Sequence, residues 1–184
     1  MERVNETEEV RIATRDEFGE LERAVKQFSE RGDISARNKE LVARFLRDAA
    51  LGKTVVGRAK KQIGPSRRRS YLTHLIILLG FVQKDLEQVA MQDMERFIEA
   101  LDQGRIGSRQ PRARGKKRVV VGGSLSRRYA ADIKITLRKF YKWLWGENRK
   151  YPELVEWIDT SFEAKDVAAL SEADVRRVYP RDMH

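Results

Sequence analysis

Apolar residues recur along the chain at the three- and four-residue spacing of amphipathic helices, and this pattern predicts a mainly α-helical protein. A first helix is expected from about Thr14 to Arg31, with Thr14 as its cap and Glu17 at capping-box spacing. A second helix is expected over 35–51, and Gly52 can end it in the left-handed conformation. The first helix has a narrow apolar stripe between charged flanks, so it could dock on the rest of the chain or on a second subunit.

Three further helices complete the expected bundle. In chain order they should cover 66–83, 92–103 and a segment from Ser124 or Ser126 to about Trp145. The stretch from Leu72 to Val82 is apolar nearly all round, as in a helix that occupies the middle of a bundle. The pattern therefore predicts a bundle of four to five helices.

The connection at 105–123 breaks the helical pattern and contains seven basic residues and no acidic one. Val119–Val121 favours a short strand, and Arg114-Gly115 could form a turn. A basic β-hairpin and a disordered basic loop both remain open, with the hairpin slightly favoured. A short helix from Pro152 to about Ile158 should follow.

The chain divides by charge into three parts. Residues 41–150 hold 26 basic and 9 acidic side chains, whereas 1–40 carry a net charge of −3 and 151–184 a net charge of −4. A compact segment with a net charge of +17 repels itself, and the usual relief is a polyanionic partner, most often nucleic acid. The alternative is a solvated basic surface without a partner. We therefore expect an acidic one-helix extension over 1–34, a core helical domain over 35–150 and a linker with a further helix start over 151–184.

Several classes of protein are excluded or disfavoured. The absence of cysteine excludes disulfides, zinc knuckles and iron–sulfur sites. The longest apolar run, at 75–82, is far shorter than the roughly 20 residues that span a bilayer. The chain shows no glycine-rich phosphate loop, nucleophile elbow or metal-ligand spacing. The sequence predicts no cofactor, no metal, no membrane partner and a cytoplasmic, nucleoid-associated location.

Two acid-free segments carry the candidate chemistry. Eight basic residues lie between Asp48 and Asp85, and nine lie between Asp102 and Asp132. Each segment enters a helix through serine, an arrangement that suits phosphate binding and leaves the helix to face a DNA groove. The alternative is two flexible basic loops on one side of a bundle. The residues expected to contact duplex DNA are Lys60, Lys61, Ser66, Arg67, Arg68, Arg69, Tyr71, Thr73, His74, Arg112, Arg114, Lys116, Lys117, Arg118, Ser124, Ser126, Arg127, Arg128, Lys134 and Arg138.

Three stretches together resemble a known family. They are Gly64–Leu75, the D-L-x-x-V-x-x-x-D-M-x-x-F pattern at 85–97, and 132–145, which contains F-Y-K-W-L and precedes Tyr151–Trp157. In order and spacing they resemble the SAM-like core-binding domain at the N-terminal end of tyrosine recombinases (phage-integrase family), particularly its archaeal branch. The resemblance covers about 40–180.

The resemblance implies a fold and a function. In that family the N-terminal domain and a C-terminal catalytic domain close around DNA like a clamp, and the N-terminal domain lays two helices against the major groove. Here those would be the helices after Ser66 and after Ser124, and 171–178 would open the catalytic domain. Other recombinase subunits could bind through residues 14–31. Two features depart from the family: Ala90 replaces a frequent capping threonine, and the basic insert at 105–123 is long.

The chemistry of that family is missing from this chain. It needs a tyrosine nucleophile, paired arginines, lysine and a His-x-x-Arg motif, yet the only histidines are His74 and His184 and neither begins that motif. We expect no catalysis by this chain alone and a role as the DNA-binding half of a recombinase. The alternatives are a stand-alone helical DNA-binding regulator or recombination accessory factor, or an unrecognised enzyme or RNA-binding protein. His74 should lie near DNA or pack in the bundle rather than catalyse.

Overall fold

The computed structural model describes residues 6–54, 62–107, 125–146 and 150–161, with side chains from residue 16 onward. Across these ranges the chain forms six α-helices and one 3₁₀ turn: α1 (Glu6–Ser29), α2 (Ala36–Ala50), α3 (Pro65–Val82), the turn at Leu86–Gln88, α4 (Met91–Asp102), α5 (Arg127–Trp145) and α6 (Glu153–Glu156). The prediction of a mainly helical bundle is confirmed. Within the described ranges, none of the helices combines the length and apolar character that crossing a bilayer requires. The predicted loop or hairpin and the helix start at 171 lie outside the described residues.

The helix ends follow the expected capping chemistry in most places. Ser35 and Ser126 cap α2 and α5, since each side-chain oxygen accepts a hydrogen bond at 3.2 Å from the amide three residues later. Gly52 and Gly104 adopt left-handed φ angles of 73° and 66° just after α2 and α4. At Gly146, which ends α5, an added Cβ would lie 2.2 Å from the Lys142 carbonyl oxygen. Glycine at these three positions therefore fits the backbone path.

The cap predicted for the first helix is wrong. Because α1 begins at Glu6, Thr14 lies in its interior rather than at its start. The start of α4 also lacks a side-chain cap, because Ala90 has no polar atom to offer. The Asp93 carboxylate instead accepts the Ala90 amide at 3.0 Å, which supplies one half of a capping box.

The third helix, α3, occupies the centre of the bundle and contacts α1, α2, α4 and α5. Its buried side chains include Tyr71, Leu72, Leu75 and Leu78, none more than 1% exposed. An aromatic cluster fills the space between α2, α3 and α5. In it the Phe45 ring lies with its centroid 5.2 Å from that of Phe140, 5.2 Å from that of Trp143 and 5.7 Å from that of Tyr71.

The first helix docks on the bundle over its described side chains. Leu21 and Phe28 are 6% and 4% exposed, and Phe28 belongs to the same buried cluster as the centre of α3. These two side chains therefore pack within the chain's own fold. The structure shows internal docking of these buried positions, and binding of another subunit through residues 14–31 stays a prediction.

Buried polar side chains tie the segment between α3 and α4 to the rest of the fold. The Asn38 amide donates to the Lys84 carbonyl at 3.1 Å and accepts from the Leu86 amide at 2.8 Å. The Tyr141 hydroxyl donates to the Leu86 carbonyl at 3.1 Å. Since this segment has no regular helix of its own beyond one turn, these bonds satisfy backbone groups that would otherwise be buried without partners.

A histidine links α3 to α5 in the interior. His74 Nδ1 lies 2.7 Å from Thr136 Oγ1, and the Thr136 hydroxyl also donates to the Asp132 carbonyl at 2.9 Å. Because the Thr136 hydroxyl donates its only proton to the Asp132 carbonyl, its oxygen can only accept in the bond with His74. His74 Nδ1 therefore carries a proton and donates it. Burial lowers the pKa of His74 to about 4, with the nearby Arg67 charge lowering it further and Asp132 opposing it. The ring is therefore neutral at pH 7.

Replacement of Phe140 by alanine should lower the free energy of unfolding by about 3–5 kcal/mol, because it removes a fully buried ring from the aromatic cluster. Arg128→Ala on the exposed side of the same helix is the control and should change it by less than about 0.5 kcal/mol. Urea denaturation followed by circular dichroism measures both. A Phe140→Ala variant as stable as the control would show that α5 presents the wrong face to the core.

Acid should destabilise the protein through His74. Its pKa is about 4 when folded and about 6.5 when unfolded, so the unfolded chain binds more protons between these values. The contribution of neutral His74 to the free energy of unfolding is complete above pH 6.5. It is lost as the pH falls toward 4, which lowers the free energy of unfolding by on the order of 3 kcal/mol. In His74→Phe the unfolding free energy should fall less over this range. The same pH dependence in both proteins would contradict a buried, neutral His74.

Candidate nucleic-acid interface

The third helix, α3, lies within the first acid-free segment, and α5 begins at the end of the second; the two helices contact each other near the start of α3. Arg67 in the first turn of α3 lies 3.6 Å from the Asp132 carboxylate in the second turn of α5. Lys139 of α5 donates to the Tyr71 hydroxyl of α3 at 3.1 Å. These contacts place the first two turns of α3 beside α5 from Asp132 to Lys139, so cations of the two basic segments lie on neighbouring helices.

The outer side of α5 is strongly basic. Its inner side is buried through residues such as Ile133, Leu137 and Phe140. Positions on the other side of the helix carry cations, and with Arg67 they define what we call the basic face: Arg67, Arg127, Arg128, Arg138, Lys139 and Lys142. Among the described residues, Asp132 is the one carboxylate within 4.0 Å of a cation of this face. Within the described ranges, the other five cations of the basic face therefore form no ion pair of that length.

Aromatic rings hold part of the basic face in place. The Arg138 guanidinium and the Lys142 ammonium each lie 4.2 Å from the centroid of the Tyr151 ring. Arg138 also donates to the Ile158 carbonyl at 3.3 Å, and Lys139 lies over the Tyr71 ring. Cation–π contacts of this kind restrict long side chains that would otherwise sample many rotamers. The segment after α5 therefore helps to fix the positions of two cations.

The three arginines in the first turn of α3 have different surroundings. Arg67 contacts Asp132, and Arg69 forms an ion pair with Glu20 of α1. Arg68 is half-buried, and burial lowers the pKa of its guanidinium, although it stays charged at pH 7. The first turn of α3 contains no acidic residue, and its cap, Gly64, has no side chain. An anion at this helix start would therefore be favoured by both the backbone amides and the arginines.

Many of the side chains that were expected to contact DNA are exposed to solvent. Those exposed are Ser66, Arg67, Arg69, Thr73, Ser126, Arg127 and Arg128, and Arg68 and Arg138 are half-buried. The remaining predicted contacts Lys60, Lys61, Arg112, Arg114, Lys116, Lys117, Arg118 and Ser124 lie outside the described residues.

Three predicted DNA contacts need correction. Tyr71 and His74 are each 1% exposed, so neither can touch a duplex bound at the surface, and each instead bonds to a residue of α5. Lys134 has a side chain only 12% exposed, and its ammonium lies 2.7 Å from Asp102 at the end of α4. Lys134 therefore tethers α5 to α4 rather than presenting a free charge.

Three residues that contribute to the candidate site are not among those expected from the sequence to contact DNA: Lys139, Lys142 and Tyr151. Lys139 and Lys142 belong to the basic face, and the sequence carries a signal for them, because they follow Arg128 and Arg138 at helical spacing on the exposed side of α5. Tyr151 orders Arg138 and Lys142 from beyond the end of α5. No local pattern connects Tyr151 to them, so that contact required the fold.

Comparison of the chain with protein-family models, with curated proteins and with solved structures finds no match. The resemblance to the core-binding domain of tyrosine recombinases therefore stays a prediction, carried by the residues quoted for it. What the structure contributes independently is a helical bundle on which a cationic helix face adjoins the start of a second helix.

Proposed function

We propose that this chain binds duplex DNA through the basic face and the adjoining first turn of α3. One observation carries the proposal: cations at the start of α3 and along the outer side of α5 lie on two helices that pack against each other, and among the described residues Asp132 is the one carboxylate within 4.0 Å of a cation of the basic face. A protein surface of this kind favours a dense linear array of negative charge, which is what the phosphates of a duplex supply.

The dimensions of α5 suit the proposed partner. A helix of 19 residues is about 28 Å long, and a single helix fits within the width of the DNA major groove. The arginines and lysines at its edges would bind phosphates on either side and set the position of the protein. The serine cap and free amides at the start of α5 would add phosphate contacts of their own.

The cellular role we propose is that of the core-binding half of a tyrosine recombinase acting in site-specific DNA recombination, with association to the nucleoid through DNA. The support for this role is the resemblance of 64–75, 85–97 and 132–157, together with the helical fold. Since the chain lacks the His-x-x-Arg motif, the strand-cutting chemistry would reside in another part of such a protein.

Binding should depend steeply on salt. If about five to seven cations touch phosphates, the slope of log K against log salt concentration should be about −5 to −6, because each contact releases condensed counterions. Fluorescence anisotropy with a labelled duplex between 50 and roughly 200 mM salt measures the slope. A slope near zero would rule out the basic face as an electrostatic binding surface.

Arginine pairs at the two helix starts should matter for binding but not for folding. Arg67→Ala with Arg68→Ala, and Arg127→Ala with Arg128→Ala, should each weaken binding and reduce the salt slope by about 1 for every phosphate that is no longer neutralised. Their thermal midpoints should stay nearly unchanged, because surface ion pairs such as Arg67–Asp132 contribute little stability.

A charge-matched control separates local contacts from net charge. Arg23→Ala with Lys26→Ala removes two exposed cations from α1, where neither belongs to the basic face. This control should bind DNA more tightly than either arginine-pair variant. Equal weakening in all three proteins would mean that net charge alone drives binding, and unchanged binding in both arginine-pair variants would place the DNA surface elsewhere.

A further inference from the structure

One apolar side chain lies in the middle of the cations of α5. Ile135 is half-buried, and among the described residues it is not one of the apolar side chains that pack against the core. At about 100° per residue it points some 160° away from Ile133, which is fully buried. Ile135 therefore belongs to the outer side of the helix.

Most of the side chains around Ile135 on that side are basic, although Asp132 and the buried Ala131 lie three and four residues before it. Arg138 and Lys139 follow it by three and four residues, and Arg128 and Lys142 lie seven residues before and after it. Residues three and four apart are adjacent on a helix surface, and residues seven apart lie two turns along the same side. Ile135 thus lies between cations that are directed to either side of it, Arg138 and Lys142 toward Tyr151 and Lys139 toward Tyr71. A duplex bound on this face would meet the Ile135 side chain between them.

The chemistry of the duplex offers one apolar group at that place. In the major groove each base pair presents hydrogen-bond donors and acceptors, and the C5 methyl of thymine is the apolar feature that distinguishes it. A branched aliphatic side chain without donors or acceptors can favour thymine by burying that methyl, and it gains nothing from cytosine or guanine edges. The alternative is that lysine and arginine stems merely cover Ile135, in which case the base beside it would not matter.

We propose that Ile135 is a specificity-determining residue that contacts a thymine methyl group in the major groove. This inference rests on the proposed function, since it requires α5 to lie in the groove. It gives the basic face a sequence preference that its phosphate-binding cations cannot supply, because phosphate contacts carry no direct information about the base.

Deoxyuridine provides the test, because it keeps the pairing of thymidine and lacks only the methyl. A randomised pool of duplexes about two helical turns long is first selected for binding to the wild-type chain. The selected duplex is then remade with deoxyuridine at one thymidine position at a time. At one position the wild type should bind about fourfold more weakly, the change that corresponds to losing the burial of one methyl-sized group.

The variant Ile135→Ala should bind the thymidine and deoxyuridine duplexes equally at that position. Leu51→Ala removes another exposed aliphatic side chain, at the end of α2, and should keep the wild-type discrimination. If Ile135→Ala still bound the thymidine duplex more tightly than the deoxyuridine duplex, the inference about Ile135 would be overturned. The same holds if the wild type bound tightly but no deoxyuridine substitution weakened binding. Either result would leave the proposed function standing. Failure to bind any duplex in the selection would overturn the proposed function and this inference with it.

Discussion

The need to surround α3 with other helices organises this protein. From Tyr71 onward the helix is apolar on nearly every side, so α1, α2, α4 and α5 all cover it. The same helix begins with three arginines that cannot enter the core without partners. The start of α3 must therefore stay at the edge of the bundle. The packing of α5 across α3 determines which α5 side chains lie beside these arginines.

The fifth helix has a buried apolar side and a basic outer side. The separation of these two surfaces around one helix is the basis of the function that we propose. Phe140 and its neighbours on the inner side anchor α5 in the aromatic cluster, which fixes the direction of the outer side. In the part of the chain that the structure describes, the α5 cations of the basic face form no ion pair within 4.0 Å, and Tyr71 and Tyr151 order three of them. Because the anchoring and the binding residues do not overlap, stability and DNA affinity should respond to different substitutions.

The sequence predicted the helices well, because their signals are local. Helical spacing, the serine caps at 35 and 126 and the glycines at 52 and 104 each act within a few residues. The exception was α1, which continues through the charged stretch before Thr14, where a capping-box pattern suggested a start. Whether α1 docked internally depended on its packing against the centre of the bundle, which no local pattern encodes.

The expected set of DNA contacts was wrong at three positions for reasons of burial or internal pairing. Tyr71 and His74 were assigned to DNA because they follow the arginines, although their spacing from Leu75 and Leu78 places them on the buried stripe of α3. Lys134 was assigned from its charge, and only the fold shows Asp102 beside it. Tyr151 was missed because its contact with Arg138 joins segments separated by a helix end.

The most direct test of the account is to map the DNA-binding surface on the intact chain. Amide chemical shifts of the isotopically labelled protein, recorded during titration with a duplex, report which helices the DNA contacts. We expect the largest changes in residues 66–73 at the start of α3 and in 127–142 of α5. Changes concentrated in α4, or in the segment from Gln83 to Val89 at the opposite end of α3, would contradict this expectation.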